Sequence, residues 1–314
     1  MAGYVGARRE IALTLETTRG TLASASSGDW QPHFGFDFGP KIERAMDNAG
    51  VGRIEENSGS VIIKEWSEGS IPLYLTEENA EIILRMLFGQ APTGAGSTAS
   101  PYAYALLNNN EHDAYTVTVS DPIKGATRYN LGLADTIDLE FVTDDYCKAT
   151  LSVLAGKEAT TTSTPAYSTT DHKFIPSEVQ VYFADNYAGL ATASEVVVQN
   201  LTVSIAKNLE QKFVIGQTNP YDAINQRINI TGDFTKLYED VTYRALGLAD
   251  TEKAMRVKVI NSDSNYVQLD FPKVKLTDWN EGEDLDAYME ETFGFEAYRD
   301  DTNGLVVGTL VNEN

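Results

Sequence analysis

Apolar and polar residues alternate with a period of two along most of this chain. Tyr115, Val117 and Val119 alternate with Thr116 and Thr118, and Ile137, Leu139 and Phe141 with Asp138 and Glu140. The same rhythm recurs in Cys147–Leu154, Val179–Phe183, Leu201–Ile205, Ile228–Thr231, Met255–Ile260 and Val267–Phe271. A strand turns successive side chains to opposite faces, so each run predicts a short strand with one buried side, as in antiparallel sheets. Near the end, Thr292–Tyr298 and Leu305–Val311 flank Asp300-Asp301-Thr302-Asn303-Gly304. Asn-Gly between two such runs predicts a hairpin with a type I′ turn. About a dozen strands separated by turn residues predict a mainly β fold, an antiparallel β-sandwich or barrel with one or two flanking helices.

Three segments carry helical spacing instead. Pro40 opens Lys41–Ala49, where Ile42, Ala45, Met46 and Ala49 share a face and Gly50 follows. Thr76 is placed to N-cap a helix with Glu77 and Glu78 in its first turn, an apolar stripe of Ile82, Ile83, Met86 and Leu87, and Gly89 as its stop. The third is Phe234–Leu246, with Leu237, Tyr238 and Val241 inward and Gly247 after it. Residues 91–113 and 155–173 read as surface loops, rich in small and polar residues, and Glu281–Asp286 as an acidic loop. Leu131–Thr136 and Leu246–Thr251 both read LGLADT, but their flanks differ, so residues 1–314 are taken as one domain.

Charge narrows the function. Forty-six Asp and Glu against twenty-four Lys and Arg leave a formal charge of −22, which repels nucleic acid and other polyanions. The single Cys147 rules out an intrachain disulfide framework and fits a reducing cytoplasm. Residues 1–18 lack the apolar core of a signal peptide, and no run is apolar enough to span a bilayer, so a soluble product is expected. His33, His112 and His172 are far apart, with no HExxH or CxxC spacing, so no metal or cofactor is expected. Glu281–Asp286 lacks the spacing that wraps calcium. No nucleophile elbow or dinucleotide-binding glycine pattern occurs. Two neighbouring carboxylates could still serve a glycosidase, but Trp30, Trp66 and Trp279 form no evident sugar platform. An enzyme is not expected.

The run SVIIKEWSEGSIPLYLTEENAEIILRMLFG (Ser60–Gly89) orders a strand, a Gly-Ser-Ile-Pro pivot, a second strand and an amphipathic helix ending in Leu-Phe-Gly. Tyr115–Val119 follows, then Tyr-Asn-Leu-Gly (Tyr129–Gly132) leading into Thr136–Val142, Leu-Ala-Gly (Leu154–Gly156), a Thr-rich excursion and Phe174-Ile-Pro before Val179–Phe183. Val198–Asp240 adds a strand, a Pro-bearing loop and a strand ending in Thr-Gly, and the last hairpin ends Gly308-Thr-Leu-Val-Asn312. In this order, from Ser60 to Asn314, the chain resembles the major tail tube proteins of bacteriophages with long non-contractile tails.

The resemblance implies a structural virion protein of the tail, made in the host cytoplasm, that self-assembles into hexameric rings stacked as a hollow tube. Sheet edges would be covered by neighbouring subunits. Tape measure, tail terminator and distal tail proteins are the implied partners, and DNA would pass through a negatively lined channel without specific binding. In that frame residues 30–57 are a candidate stacking loop or hairpin. Trp66, Ile71, Leu73 and Tyr74 are candidates for the subunit interface, and Glu281, Glu283, Asp284 and Asp286 for the lumen or the inter-ring contact. The alternative from another class is a β-sandwich binding or adhesion module, with carbohydrate as a candidate ligand.

Overall fold

The computed structural model describes residues 6–48, 59–168, 171–238, 241–261, 264–282 and 289–313. In chain order, β1 (Glu10–Leu15), β2 (Trp30–Gln31), β3 (Asp37–Asp47) and β4 (Gly59–Tyr74) precede the helix α1 (Glu77–Phe88). Next come β5 (Tyr102–Ala105), β6 (Tyr115–Asp121), β7 (Gly125–Val142), β8 (Lys148–Ala155) and β9 (Glu158–Thr161). They are followed by β10 (Val179–Ala184), β11 (Glu195–Val196), β12 (Asn200–Ala206), β13 (Glu210–Lys212), β14 (Asp222–Ile224) and β15 (Asn229–Leu237). The short helix α2 (Thr242–Leu248) then leads into β16 (Lys253–Ile260), β17 (Tyr266–Gly282), β18 (Glu290–Ala297) and β19 (Val307–Val311).

Two long strands each take part in two sheets. The first half of β7 pairs with β6 and β9, extending a small sheet with β1 and β2, while its second half pairs with β8 and β12. The first half of β17 lies between β16 and β19, and its second half pairs with β18. One layer therefore runs β3-β4-β8-β7-β12-β15-β18-β17, antiparallel throughout. The other runs β11-β10-β16-β17-β19-β5. The two layers do not close into a barrel among the described residues; β13 and β14 form a separate ribbon.

The core lies between the layers. Phe183 of β10 meets Phe234 of β15 at 5.4 Å, and Phe234 stacks on Phe293 of β18 at 5.3 Å. Helix α1 fills the open side: Ala80, Ile83 and Leu84 share a small apolar void with Leu139 and Phe141 of β7, Val257 and Val259 of β16, and Val267 and Leu269 of β17. Its N-terminus is set as expected. The Asn79 N–H donates to Thr76 Oγ1 at 3.2 Å and the Thr76 N–H to Asn79 Oδ1 at 2.9 Å, a reciprocal cap that satisfies two orphan donors. Gly89 ends it at φ 77°, where an added Cβ would stand 2.2 Å from the His112 ring.

Four expectations are corrected. Lys41–Ala49 is not a helix: β3 runs through Asp47, paired with β4 from Asp37↔Ser70 to Asp47↔Gly59. The spacing of Ile42 and Met46 fits either period, and a helix here would have no core to bury its stripe against; pairing with β4 satisfies the backbone instead. Phe234–Leu246 begins as strand, because Ile230 and Phe234 alternate into the core, and α2 starts only at Thr242. Both surface loops contain a strand: 91–113 holds β5, whose Tyr102–Ala105 pairs with β19 and buries Tyr104, and 155–173 holds β9, whose Glu158–Thr161 pairs with β7. The Asn303–Gly304 turn is not type I′, since only Gly304 has positive φ (82°). Asp300 Oδ1 accepts from the backbone N–H groups of Thr302 and Asn303 and shapes the turn. The strands it joins, β18 and β19, lie end to end along β17 rather than against each other.

Candidate assembly surfaces

Strand parity separates the two faces of the first layer. Asp138↔Ser204, Glu140↔Thr202, Thr202↔Asp233, Thr231↔Glu296 and Thr235↔Thr292 are cross-strand partners, so these side chains share the face away from the core. The register carries the face on through Thr150 and Lys148 of β8 to Pro72 and Tyr74 of β4, and through Asp278 and Lys275 of β17. The result is a seven-strand surface on which Ser, Thr, Asp and Glu predominate, interrupted by Pro72, Tyr74, Gly294 and two lysines. Hydroxyls and carboxylates tie it laterally: Thr202 Oγ1 donates to Asp233 Oδ1 at 2.7 Å and Ser204 Oγ to Asp138 Oδ1. Its cations are already engaged, Lys148 with Asp145 and Lys275 with Asp250, both at 2.7 Å. The face is thus electronegative.

The four interface candidates all lie on β4 and divide by parity. Ile71 and Leu73 are fully buried in the subunit's own core. Trp66 and Tyr74 share the polar face and keep part of their surface. Trp66 Nε1 donates to Glu68 Oε2 at 2.9 Å, and its ring meets Phe213 edge-on at 6.3 Å. Tyr74 packs with Phe34 at 5.1 Å and Tyr146 at 5.5 Å, with Lys173 Nζ 5.0 Å over its ring. Phe34 and Tyr146 are exposed, so this is a surface aromatic cluster. Of the acidic candidates, Glu281 belongs to β17, opposite Glu291 of β18. Glu283, Asp284 and Asp286 lie outside the described residues.

Two groups of exposed apolar side chains were not read from the sequence as exposed. The β3–β4 hairpin leaves Ile42, Met46, Val61 and Ile63 exposed. Beside its base, the loop after β13 places Phe213 near Trp66 and leaves Val214 and Ile215 exposed, with the Thr218 carbonyl accepting from the Glu65 N–H at 2.8 Å. Val214-Ile215-Gly216 is an apolar run on a turn, and that was the available signal. On the hairpin these side chains are divided between the two faces of the ribbon, since Val61 pairs with Ala45 and Met46 with Ser60.

The titratable groups in the interior serve structure. Burial raises the Cys147 thiol to about 12, so it stays protonated. Burial, helped by nearby Lys207, lowers His112 to about 4, so its ring is neutral; Nε2 lies 3.0 Å from the Leu107 carbonyl. Lys207 is wholly buried, and its Nζ donates to the Met86 carbonyl at 2.6 Å in the last turn of α1. Desolvation and the Arg19 charge bring it down to about 7, against the pull of Asp135. Among the described residues no group of three or more His, Cys, Asp or Glu is placed to hold a metal ion. No described helix is long and apolar enough to cross a membrane.

None of the curated proteins matches the chain. A family model described as phage tail tube protein matches residues 6–297. That match covers nearly the whole chain, and the chain therefore belongs to the phage tail tube protein family.

Proposed function

We propose that this chain acts purely as a structural subunit: copies form hexameric rings that stack into the tail tube, with the polar face of the first layer turned to the bore. The observation that carries this reading is the polar face shared by seven strands, on which Ser, Thr, Asp and Glu predominate and whose opposite face is core. A wall of that chemistry repels phosphate, so the genome slides through without specific binding. Edges support it as well. Among the described residues β3 pairs only with β4, and the last residues of β17 only with β18. Exposed edges of this length invite aggregation unless a neighbour covers them.

In this reading the β3–β4 hairpin is the stacking arm, its exposed Ile42, Met46, Val61 and Ile63 buried against the next ring. Trp66 and Tyr74 contact a neighbouring subunit while Ile71 and Leu73 support them from the core. The acidic stretch 281–286 faces the bore or the next ring, and the tape measure, terminator and distal tail proteins meet the tube. Negative-stain microscopy and sedimentation of the concentrated full chain test the proposal. Tubes of constant diameter are expected, forming more readily between about 0.05 and about 0.5 M salt as screening shortens the repulsion. A chain that stays monomeric at every concentration overturns the tube, and assembly indifferent to salt overturns the charged bore.

A further inference from the structure

Strand register gives the first layer two distinct ends. Tyr74 pairs with Lys148 and Leu237 with Glu290 at one end; Ser67 pairs with Ala155 and Ala206 with Asn229 at the other. Strand β4 runs the whole height and carries an apolar group at each end. At the first end, Phe34 and Tyr146 flank Tyr74 at 5.1 and 5.5 Å, and each keeps nearly half of its surface. Beyond the second end, Trp66 meets Phe213 at 6.3 Å, and the next two residues, Val214 and Ile215, are exposed, Ile215 completely. The Thr218 carbonyl, which accepts from the Glu65 N–H, fixes this loop along β4 just past the point where β8 has ended. Trp66 and Tyr74 have the same parity, as does Lys64, whose Nζ lies 5.3 Å from the Phe213 ring. Both groups therefore stand on the polar-face side of one strand, at its opposite ends.

The two groups differ in kind: one is a projecting aliphatic tip, the other a shallow cluster of rings. Unlike surfaces that fit each other make a head-to-tail contact, and such a contact repeats without closing when it lies along an axis. The placement supplies that axis. With the polar face to the bore and the sheet edges to neighbours in one ring, the strand ends are what remains to meet the rings above and below. We propose that the Phe34–Tyr74–Tyr146 cluster is the seat for the Phe213–Ile215 tip of a second copy in the next ring. The choice of a second copy rests on the tube reading above. Burial of the tip's aliphatic surface is the driving term. The tip brings no charge of its own, since residues 213–219 read FVIGQTN. It meets no penalty from the ammonium groups at the seat, where Lys148 Nζ lies 5.4 Å over Phe34 and Lys173 Nζ 5.0 Å over Tyr74. Those lysines do not make the seat a nucleic-acid site, because Lys148 is held by Asp145 at 2.7 Å and the chain's charge of −22 opposes phosphate.

Ile215→Asp on the tip and Tyr146→Ala on the seat test the proposal in the full chain. The readouts are the melting temperature of the unassembled protein, ring content by sedimentation, and the concentration at which tubes appear in negative stain. Ile215 is wholly in water, so Ile215→Asp should leave the melting temperature unchanged. Rings should persist in both variants, while the tube threshold rises about ten-fold or more. Tyr146→Phe keeps the ring and should keep the native threshold. Mixing rings of the two variants leaves one intact tip facing one intact seat, and should give ring pairs but no longer stacks. A lowered melting temperature for Ile215→Asp would place the isoleucine in the subunit's own packing and overturn the proposal. Loss of rings together with tubes would make the contact lateral and overturn it too. So would an unchanged tube threshold in both variants, a result that leaves the tube reading standing. A native chain that never forms tubes sinks both. Saturable binding of a single-stranded oligothymidylate by the native chain, lost in Tyr146→Ala, would assign the cluster to nucleic acid instead.

Discussion

Strand β3 precedes β4 in the chain and helix α1 follows it, and the two hold their places by opposite means. α1 buries Ile83, Leu84, Met86, Leu87 and Phe88 between the two layers, and Lys207 anchors its last turn. β3 buries only Phe38; beyond Gly39 its residues are exposed, and it is kept by main-chain pairing and by surface pairs such as Lys64–Glu43 at 2.6 Å. The helix spends its apolar residues on the subunit. The strand keeps Ile42 and Met46 free for something else. An apolar spacing shared by two segments thus has two outcomes, decided by whether a core lies within reach.

The sharpest way to break this comparison is to truncate one apolar side chain in each element. Phe88 is fully buried, its ring 5.6 Å from Tyr104 and pressed so closely by Gly308 that a Cβ there would stand 2.5 Å away. Phe88→Ala should cost about 3–5 kcal/mol in urea unfolding of the unassembled chain. Met46→Ala should change it by less than about 0.5 kcal/mol. Comparable losses would mean β3 is packed against the body and not held out from it.

The next largest effect comes from the anchor of α1. Burial brings the Lys207 ammonium down to about 7 in the folded chain from its ordinary 10.5, so the unfolded chain binds the extra proton between these values. Stability therefore rises with pH through that window and is lost as pH falls toward 7. Arg19 opposes the ammonium charge and Asp135 favours it, while neighbouring His112, lowered from 6.5 to about 4, adds a second step of the same sign on the acid side. The difference between the native chain and Lys207→Met should shift by about 2–4 kcal/mol between pH 7 and 10. A flat difference would show that the lysine is hydrated in solution and that the helix end is loose, closer to β3 than the comparison allows.

Legibility followed the core. Runs that alternate against a buried layer, such as Ile137–Phe141 and Leu201–Ile205, were readable because every second side chain had to be apolar, and both are strands. α1 was readable from its caps as well as its stripe, since Thr76 and Gly89 mark ends that no strand needs. β3 was not, because an exposed hairpin places no demand on its inward residues. Leu131–Thr136 and Leu246–Thr251 make the same point with identical residues: LGLADT is strand in β7 and the end of a helix and its turn in α2. Partners on β6 and β8 decide the first copy, and none of that is local. The polar face was visible as alternating Thr, Ser and Asp, but its continuity across seven strands depends on register.

The smallest test concerns what fixes the ends and the pairing of the two elements. Thr76 is fully buried and closes the reciprocal cap with Asn79, so Thr76→Ala removes an acceptor for a helix N–H that water cannot reach. It should cost about 1–2 kcal/mol, the upper part of the range for N-caps. Glu43 and Lys64 face each other across β3 and β4 with roughly half of each side chain in water. Glu43→Gln should cost less than about 0.5 kcal/mol and lose even that in high salt, where an exposed pair is screened. If Glu43→Gln instead matched Thr76→Ala in low-salt unfolding, charge pairing rather than main-chain pairing would be what holds β3 beside β4. The hairpin would then loosen with ionic strength while α1 stayed fixed, and its apolar residues would be least well ordered under the salt conditions in which the rings are expected to stack.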